Sequence, residues 1–253
     1  LGEKEMKMKI ADSQLLVKTM SAIGILANEG TFQIDADGFR LRAMDPSRVA
    51  MVDFSWPKTV FEEFVCDTPT KLCFHIGELL KLVKRASKNE PVELSTTDKG
   101  KLQISIAGKR NFTMPILESS EEEVPVPKIT FNVKAKATAD GLRNAVEDTQ
   151  VVSDHVKILA EADKLGFTAQ GDLMDADITL QKTSDTLLDL ETQTPPQKAT
   201  YSLSYLTEVL KAGAALADIV TVEFSTDMPI KLDFQTSKDG KLTYYLAPRI
   251  ESE

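Results

Sequence analysis

Cysteine is scarce in this chain: Cys66 and Cys73 are the only two among 253 residues. Their spacing matches no common zinc or redox motif. Both are expected to be reduced thiols of an intracellular protein, with a single disulfide as the minor alternative. No apolar run approaches the ~18 residues of a membrane span, and Leu1–Lys9 is too charged for a secretory signal. Histidine is nearly absent. His75 and His155 stand alone, without a nucleophile partner. The chain also lacks Gly-x-Gly-x-x-Gly, a Walker-type Gly-Lys-Ser/Thr and His-Glu-x-x-His. Two Asp-x-Asp pairs, Asp35-Ala36-Asp37 and Asp175-Ala176-Asp177, hint at a nuclease-type metal site, but no third acid accompanies either at a useful spacing. The expectation is therefore no catalytic residue, no metal and no cofactor.

Positive charge is in deficit as well. The formal net charge is −9, which by itself argues against wrapping nucleic acid, because phosphate binding needs cations. The placement of the cations has to decide. Hydrophobic residues make up 42% and charged residues 27%, a soluble globular profile. The length allows two domains. Leu1-Gly2-Glu3-Lys4-Glu5 carries no apolar period and reads as an extension ahead of Met6 or Met8.

What the chain does have is internal repetition. Val92-Glu93-Leu94-Ser95-Thr96 returns as Val222-Glu223-Phe224-Ser225-Thr226. Lys99-Gly100-Lys101-Leu102 follows the first and Asp239-Gly240-Lys241-Leu242 the second. Upstream, Phe74, Ile76, Leu79, Val83 and Lys84 share their spacing with Tyr201, Leu203, Leu206, Leu210 and Lys211. Asp37-Gly38-Phe39 and Leu165-Gly166-Phe167 are each expected to close a hairpin. Before each lies a short amphipathic helix, with Leu16, Met20 and Ile23 or Leu142, Ala145 and Val146 on its apolar face. One unit of about 125 residues is used twice, a normal domain size.

Alternation in Phe32–Asp35, Phe39–Arg42 and Leu102–Ile106 predicts strands with one buried face. Few helices among many antiparallel strands indicate an α+β fold with helices covering one sheet face. The expected boundaries are a first domain over 6–117, a connecting linker over 118–127 and a second domain over 128–253. The linker, Leu117-Glu118-Ser119-Ser120-Glu121-Glu122-Glu123-Val124-Pro125-Val126-Pro127, combines repelling glutamates with prolines that favour extended backbone. Solubility alone does not require its Val124 and Val126.

Two runs carry a family resemblance. Ala43-Met44-Asp45-Pro46-Ser47-Arg48-Val49-Ala50-Met51 and the ending Tyr244-Tyr245-Leu246-Ala247-Pro248-Arg249-Ile250 resemble segments of the proliferating cell nuclear antigen (PCNA) family of archaea and eukaryotes. The resemblance covers residues 6–253, and the acidic linker sits where that family has one. It implies a DNA-clamp fold: two similar domains, each with antiparallel sheets and two helices on the inner face, in three chains that close a ring. The implied function is a sliding clamp, a DNA polymerase processivity factor without catalysis. The implied partners are double-stranded DNA, held without sequence preference, and the DNA polymerase, clamp loader, flap endonuclease, DNA ligase and other proteins carrying a PCNA-interacting-peptide (PIP) box. No membrane is implied. The place would be the cytoplasm or nucleoid of an archaeon, or a eukaryotic nucleus. A checkpoint-type clamp or one subunit of a heterotrimer is the rival within the same fold.

A ring with helices inside requires basic helix faces. Ile76–Lys88 carries Lys81, Lys84, Arg85 and Lys88 against Glu78, opposite an apolar stripe of Ile76, Leu79, Leu80 and Val83. An ordinary solvated face is the competing reading. Lys18, Arg143 and Lys211 are the candidates on the other helices, although Glu147 breaks the pattern on the third. By motif match, the peptide pocket comprises Met44, Arg48, Met51, Val124, Val126, Pro127, Pro229, Tyr245, Ala247 and Pro248. The implied subunit contact pairs an edge strand bearing Phe112, Met114 and Ile116 with one bearing Ile178 and Leu180. Pro115 is a caution there, because proline cannot donate to a ladder.

Overall fold

Met6, Met8 and Ile10 are buried, and Lys7 and Lys9 between them lie on the other face. That period of two makes β1 (Met6–Ile10) a strand with one core face. The computed structural model describes residues 6–97, 99–119 and 124–250. The opening extension, Asp98, the linker's Ser120–Glu123 and the last three residues lie outside the described residues.

After β1 comes α1 (Ser13–Gly24). Asp12 starts it: Oδ1 accepts from the backbone N–H of Gln14 at 2.9 Å and of Leu15 at 3.2 Å, a cap worth ~1 kcal/mol. Then follow β2 (Glu29–Asp35), β3 (Gly38–Met44), β4 (Ala50–Pro57), β5 (Glu63–Cys66) and β6 (Thr70–His75). α2 (Ile76–Val83) leads into β7 (Val92–Thr96), β8 (Lys101–Ile106) and β9 (Arg110–Pro115). Beyond the linker come β10 (Val133–Thr138), α3 (Ala139–Gln150), β11 (His155–Ala160), β12 (Lys164–Gln170) and β13 (Asp175–Gln181). β14 (Leu187–Thr192) and β15 (Gln197–Ser202) precede α4 (Leu203–Ala214). β16 (Ile219–Phe224), β17 (Ile230–Gln235) and β18 (Lys241–Leu246) complete the chain.

Residues 1–46, 52–125 and 236–242 make one compact unit, and residues 47–51, 126–235 and 243–253 the other. Each contains two antiparallel sheets and two helices. In the first unit the strand orders are β5-β1-β7-β8-β9 and β4-β3-β2-β6, with α1 packed beside α2. In the second they are β14-β10-β16-β17-β18 and β13-β12-β11-β15, with α3 beside α4. The two designs are the same.

Register confirms most of the repeat and moves two pieces of it. Gly30 faces Phe74 and Val156 faces Tyr201, so Phe32 and Ile158 hold equivalent places two residues on. On that frame Phe39, opposite Ile34, corresponds to Leu165, opposite Ala160. Gly38 does sit at the end of its hairpin. Gly166, by contrast, lies within β12, and the chain turns earlier, at Ala162-Asp163. The two Gly-Phe pairs are therefore offset by two residues, a slip that preserves which face is buried. Likewise Lys101-Leu102 opens β8, whereas Lys241-Leu242 opens β18, one hairpin later. Gly38 itself is required by the backbone. Its φ is +156°, and a Cβ there would stand 2.1 Å from the carbonyl oxygen of Trp56.

The cores differ in composition. In the first unit Phe32 stacks on Phe39 at 4.6 Å and on Phe74 at 4.7 Å between ring centroids. Phe54, Trp56 and Phe61 extend the cluster edge-on. In the second unit the same layer is mainly aliphatic, and a small apolar cavity remains among Leu142, Val146, Ile158, Phe167, Leu206 and Val222.

Candidate DNA-facing and partner-docking surfaces

Burial decides which helix residues are free to act. On α1, Leu16, Met20 and Ile23 are buried and Lys18 is exposed. On α2, Ile76, Leu79 and Val83 are buried, Leu80 is half-buried, and Glu78 and Lys81 are exposed. Each buried aliphatic side chain contributes about 1.5–3 kcal/mol, so these faces are fixed inward. α2 ends at Val83, earlier than the sequence period suggested. Lys84, Arg85 and Ala86 close short turns onto Leu80, Leu82 and Val83. The Glu90 carboxylate then accepts from the Ser87 backbone N–H at 2.8 Å, competing with further helix. Arg85 and Lys88 therefore stand on the turn after α2, exposed like Lys84.

Lys81 Nζ is 2.5 Å from Glu78 Oε1, one turn back. The side chains of Lys84, Arg85 and Lys88 take part in no ion pair among the described residues. The neighbouring arginine, Arg110, pairs with Glu90 and donates to the Arg85 carbonyl at 3.0 Å, which stiffens the turn beneath the cluster. α1 together with residues 76–88 thus carries five cations, Lys18 included, against the single carboxylate of Glu78.

The second unit reverses that balance. On α3, Leu142, Ala145 and Val146 are buried, and Arg143 is its sole cation. Arg143 Nη1 lies 3.0 Å from Asp140 Oδ1, and its Nε lies 3.7 Å from Glu147 Oε1. Asp148 on α3 and Glu208 on α4 are exposed, as is Lys211. Two cations thus face four carboxylates.

In one sheet of each unit a lysine is flanked by two glutamates. Lys9 stands in register between Glu63 and Glu93 in the first, and Lys134 between Glu191 and Glu223 in the second. Lys7 Nζ bridges Glu63 at 3.0 Å and Glu93 at 3.2 Å, and these carboxylates hold the Lys7 ammonium above its ordinary range. Lys231 Nζ is 2.6 Å from Glu223. Partial burial pulls the Lys231 pKa down, but Glu223 outweighs it and the pKa ends raised.

The residues expected at the peptide pocket fall in both units. In the first, Met44 ends β3 with 37% exposure, and Val124 is half-buried. In the second, Val126 is 42% exposed, and Pro127, Pro229, Tyr245, Ala247 and Pro248 are half-buried. Arg48 is exposed on a left-handed backbone, φ +58°. The Ala247 N–H donates to the Val49 carbonyl at 2.8 Å. The Tyr201 hydroxyl donates to the Met228 carbonyl at 2.7 Å, which steadies the loop of Pro229. Met51 is the exception: at 3% exposure it belongs to the core and offers no surface to a peptide.

The strands expected at a subunit contact, β9 and β13, are each the last of their sheet. Phe112, Ile116, Ile178 and Leu180 are half-buried, and Met114 is buried. Pro115 closes β9, so its missing donor interrupts no ladder. The Asp-x-Asp pairs are explained locally. Asp35 accepts from the Asp37 N–H at 2.9 Å and pairs with Arg40 at 2.7 Å, contacts that keep its carboxyl below its ordinary range. Asp175 and Asp177 lie exposed on β13. His75 sits 3.1 Å from Glu29, and His155 contacts Arg249.

Two units of one design, each a pair of antiparallel sheets with two helices, define the DNA-clamp class of fold. Residues 5–113 match the family model for the proliferating cell nuclear antigen N-terminal domain, and residues 125–249 that for its C-terminal domain. The chain belongs to the PCNA family of DNA polymerase sliding clamps, of the archaeal and eukaryotic type. It is 35% identical over 244 residues to the DNA polymerase sliding clamp of Nitrosopumilus maritimus, covering 96% of this chain and 98% of that one. It is 33% identical over 228 residues to that of Pyrococcus furiosus, covering 89% and 91%. Among solved structures, PCNA from Thermococcus kodakaraensis superposes with a TM-score of 0.90 at 27% identity, covering 96% of this chain and all of that one. A PCNA2–PCNA3 complex from Sulfolobus tokodaii gives 0.88 at 26% identity, covering 97% of this chain and all of that one. The family's clamps are non-catalytic scaffolds.

Proposed function

We propose that three copies of this chain close head to tail around duplex DNA and tether replication and repair proteins to it through PIP-box peptides. The observation that carries this reading is the cluster of Lys84, Arg85 and Lys88, free of ion pairs among the described residues in a chain of net charge −9. Cations concentrated on one helical side suit sequence-independent phosphate contact, which positions a protein without reading bases. An acidic exterior would give DNA little reason to bind outside. Closure would come from pairing β9 of one copy with β13 of the next, since an unpaired edge invites a partner strand and a head-to-tail contact closes when its rotation allows. The peptide would use Val124 and Val126 of the linker with Pro229, Tyr245, Ala247 and Met44. These side chains are mainly apolar and would suit one aliphatic and one or two aromatic anchors. DNA polymerase, clamp loader, flap endonuclease and DNA ligase are the expected partners.

A heterotrimer is the second reading, favoured by one finding: the Sulfolobus tokodaii relative was solved as a PCNA2–PCNA3 complex. Light scattering on the pure protein separates the two. Three times the 27.9 kDa chain mass supports the homotrimer. A stable monomer at micromolar concentration would sink it. In the same preparations, Ala247→Arg should weaken a polymerase C-terminal PIP peptide by roughly thirtyfold or more, the scale of a binding hot spot. Unchanged affinity with the assembly intact would put the peptide elsewhere.

A further inference from the structure

Arg42 sits on β3 of the first unit and reaches the linker just after its acidic run. Its Nη1 donates to the Val124 carbonyl at 2.9 Å. Its Nη2 lies 3.2 Å from Asp53 Oδ2, on β4 of the same sheet. The third donor, Nε, is enclosed without a hydrogen-bond partner. One planar guanidinium thus grips a linker carbonyl with one arm while a carboxylate holds the other. Arginine can do both at once because its donors form a rigid fork; lysine offers a single flexible point charge. We infer that Arg42, oriented by Asp53, is a positioning residue. It fixes the backbone at Val124 on the first unit and so presets the linker for partner peptides.

Three observations support a positioning role over a general structural one. First, Arg42 and Asp53 are only partly buried, with side-chain exposures of 32% and 30%. The pair is therefore not a core element whose removal would unfold the unit. Second, the contact spans 82 residues of sequence and lands on backbone, so it constrains where the chain runs regardless of the side chain at 124. Third, Val124 immediately follows the linker's acidic run, whose like charges repel one another. A charge-assisted hydrogen bond to a carbonyl is among the stronger single contacts available to hold such a segment. A segment already held in its bound path gives up less conformational entropy when a ligand docks on it.

The inference rests on the proposed docking of peptides along the linker, and its test separates the two. Arg42→Ala, Arg42→Lys and Asp53→Asn would be compared with wild type in the full-length protein. Two quantities would be measured: amide hydrogen exchange over residues 118–130, and the Kd of a polymerase C-terminal PIP peptide. Arg42→Ala should speed exchange in that window and weaken the peptide roughly five- to tenfold because the linker is no longer preorganised. Asp53→Asn should give a smaller weakening, and Arg42→Lys an intermediate one. Assembly mass and melting should stay close to wild type. Wild-type exchange and wild-type Kd in Arg42→Ala, with Ala247→Arg still abolishing binding, would overturn the inference and leave the docking proposal standing. If Ala247→Arg has no effect, the docking proposal falls, and linker exchange alone then decides whether Arg42 holds the segment.

Discussion

In their sheets the units match: Lys9 between Glu63 and Glu93 in one, Lys134 between Glu191 and Glu223 in the other. On the helical side they part. Among the described residues, the first unit leaves Lys84, Arg85 and Lys88 without acid partners, whereas the second ties Arg143 to Asp140 and Glu147. A duplicated scaffold thus keeps the interactions that build its sheets and diverges in the charges that its helices offer. The physical reason is that exposed helix charges contribute little to folding, so they are free to vary. The ladder charges are coupled to strand register and vary less easily. On the proposed function the first unit would be the better phosphate surface, because the helices of the second carry two cations against four carboxylates.

The largest expected effect tests the difference in the cores. Phe32 is stacked on both sides, and its equivalent in the second unit, Ile158, borders a cavity. Phe32→Ala should cost about 3–5 kcal/mol of stability and Ile158→Val only about 0.5–1.5 kcal/mol. Calorimetric unfolding would measure both. A cost below about 2 kcal/mol for Phe32→Ala would mean that the aromatic stack relaxes into the space it leaves.

A smaller effect sharpens the contrast in charge. Asp140→Asn with Glu147→Gln removes both carboxylates around Arg143 while keeping their shapes. The freed guanidinium should strengthen duplex binding by a few-fold at ~0.1 M salt, as expected when one more cation can reach a phosphate. Fluorescence anisotropy with a labelled duplex would read it. Unchanged binding would show that α3 does not approach DNA at all.

Much of this was visible in the sequence. The spacing shared by Phe74–Lys84 and Tyr201–Lys211 marks the strand-to-helix junction of both units, because buried positions repeat at fixed intervals in any packed helix. The alternation of Phe112 with Met114 and of Ile178 with Leu180 marked β9 and β13, although edge position itself depends on partners that no local pattern reveals. The Gly-Phe pairs misled: only Gly38 has a backbone that demands glycine, and Gly166 is an ordinary strand residue. The end of α2 depended on Glu90 reaching back to Ser87, a hydrogen bond that the apolar period does not encode. The motif match puts Met51 in the peptide pocket, whereas the side chain is core. The grip of Arg42 on Val124 left no trace in the sequence, because its acceptor is a main-chain carbonyl 82 residues away.

The contrast between the units is tested most directly by the salt dependence of duplex binding in two double variants. Lys84→Glu with Lys88→Glu removes cations from the first unit, and Arg143→Glu with Lys211→Glu removes them from the second. For every phosphate that a variant no longer neutralises, the plot of log K against log salt should flatten by about 0.9. If the first unit holds the DNA, its variant binds at least tenfold more weakly at ~0.1 M salt and shows a clearly shallower slope. The second-unit variant should stay near wild type in both. Equal weakening in the two variants, or a larger effect in the second, would contradict that assignment.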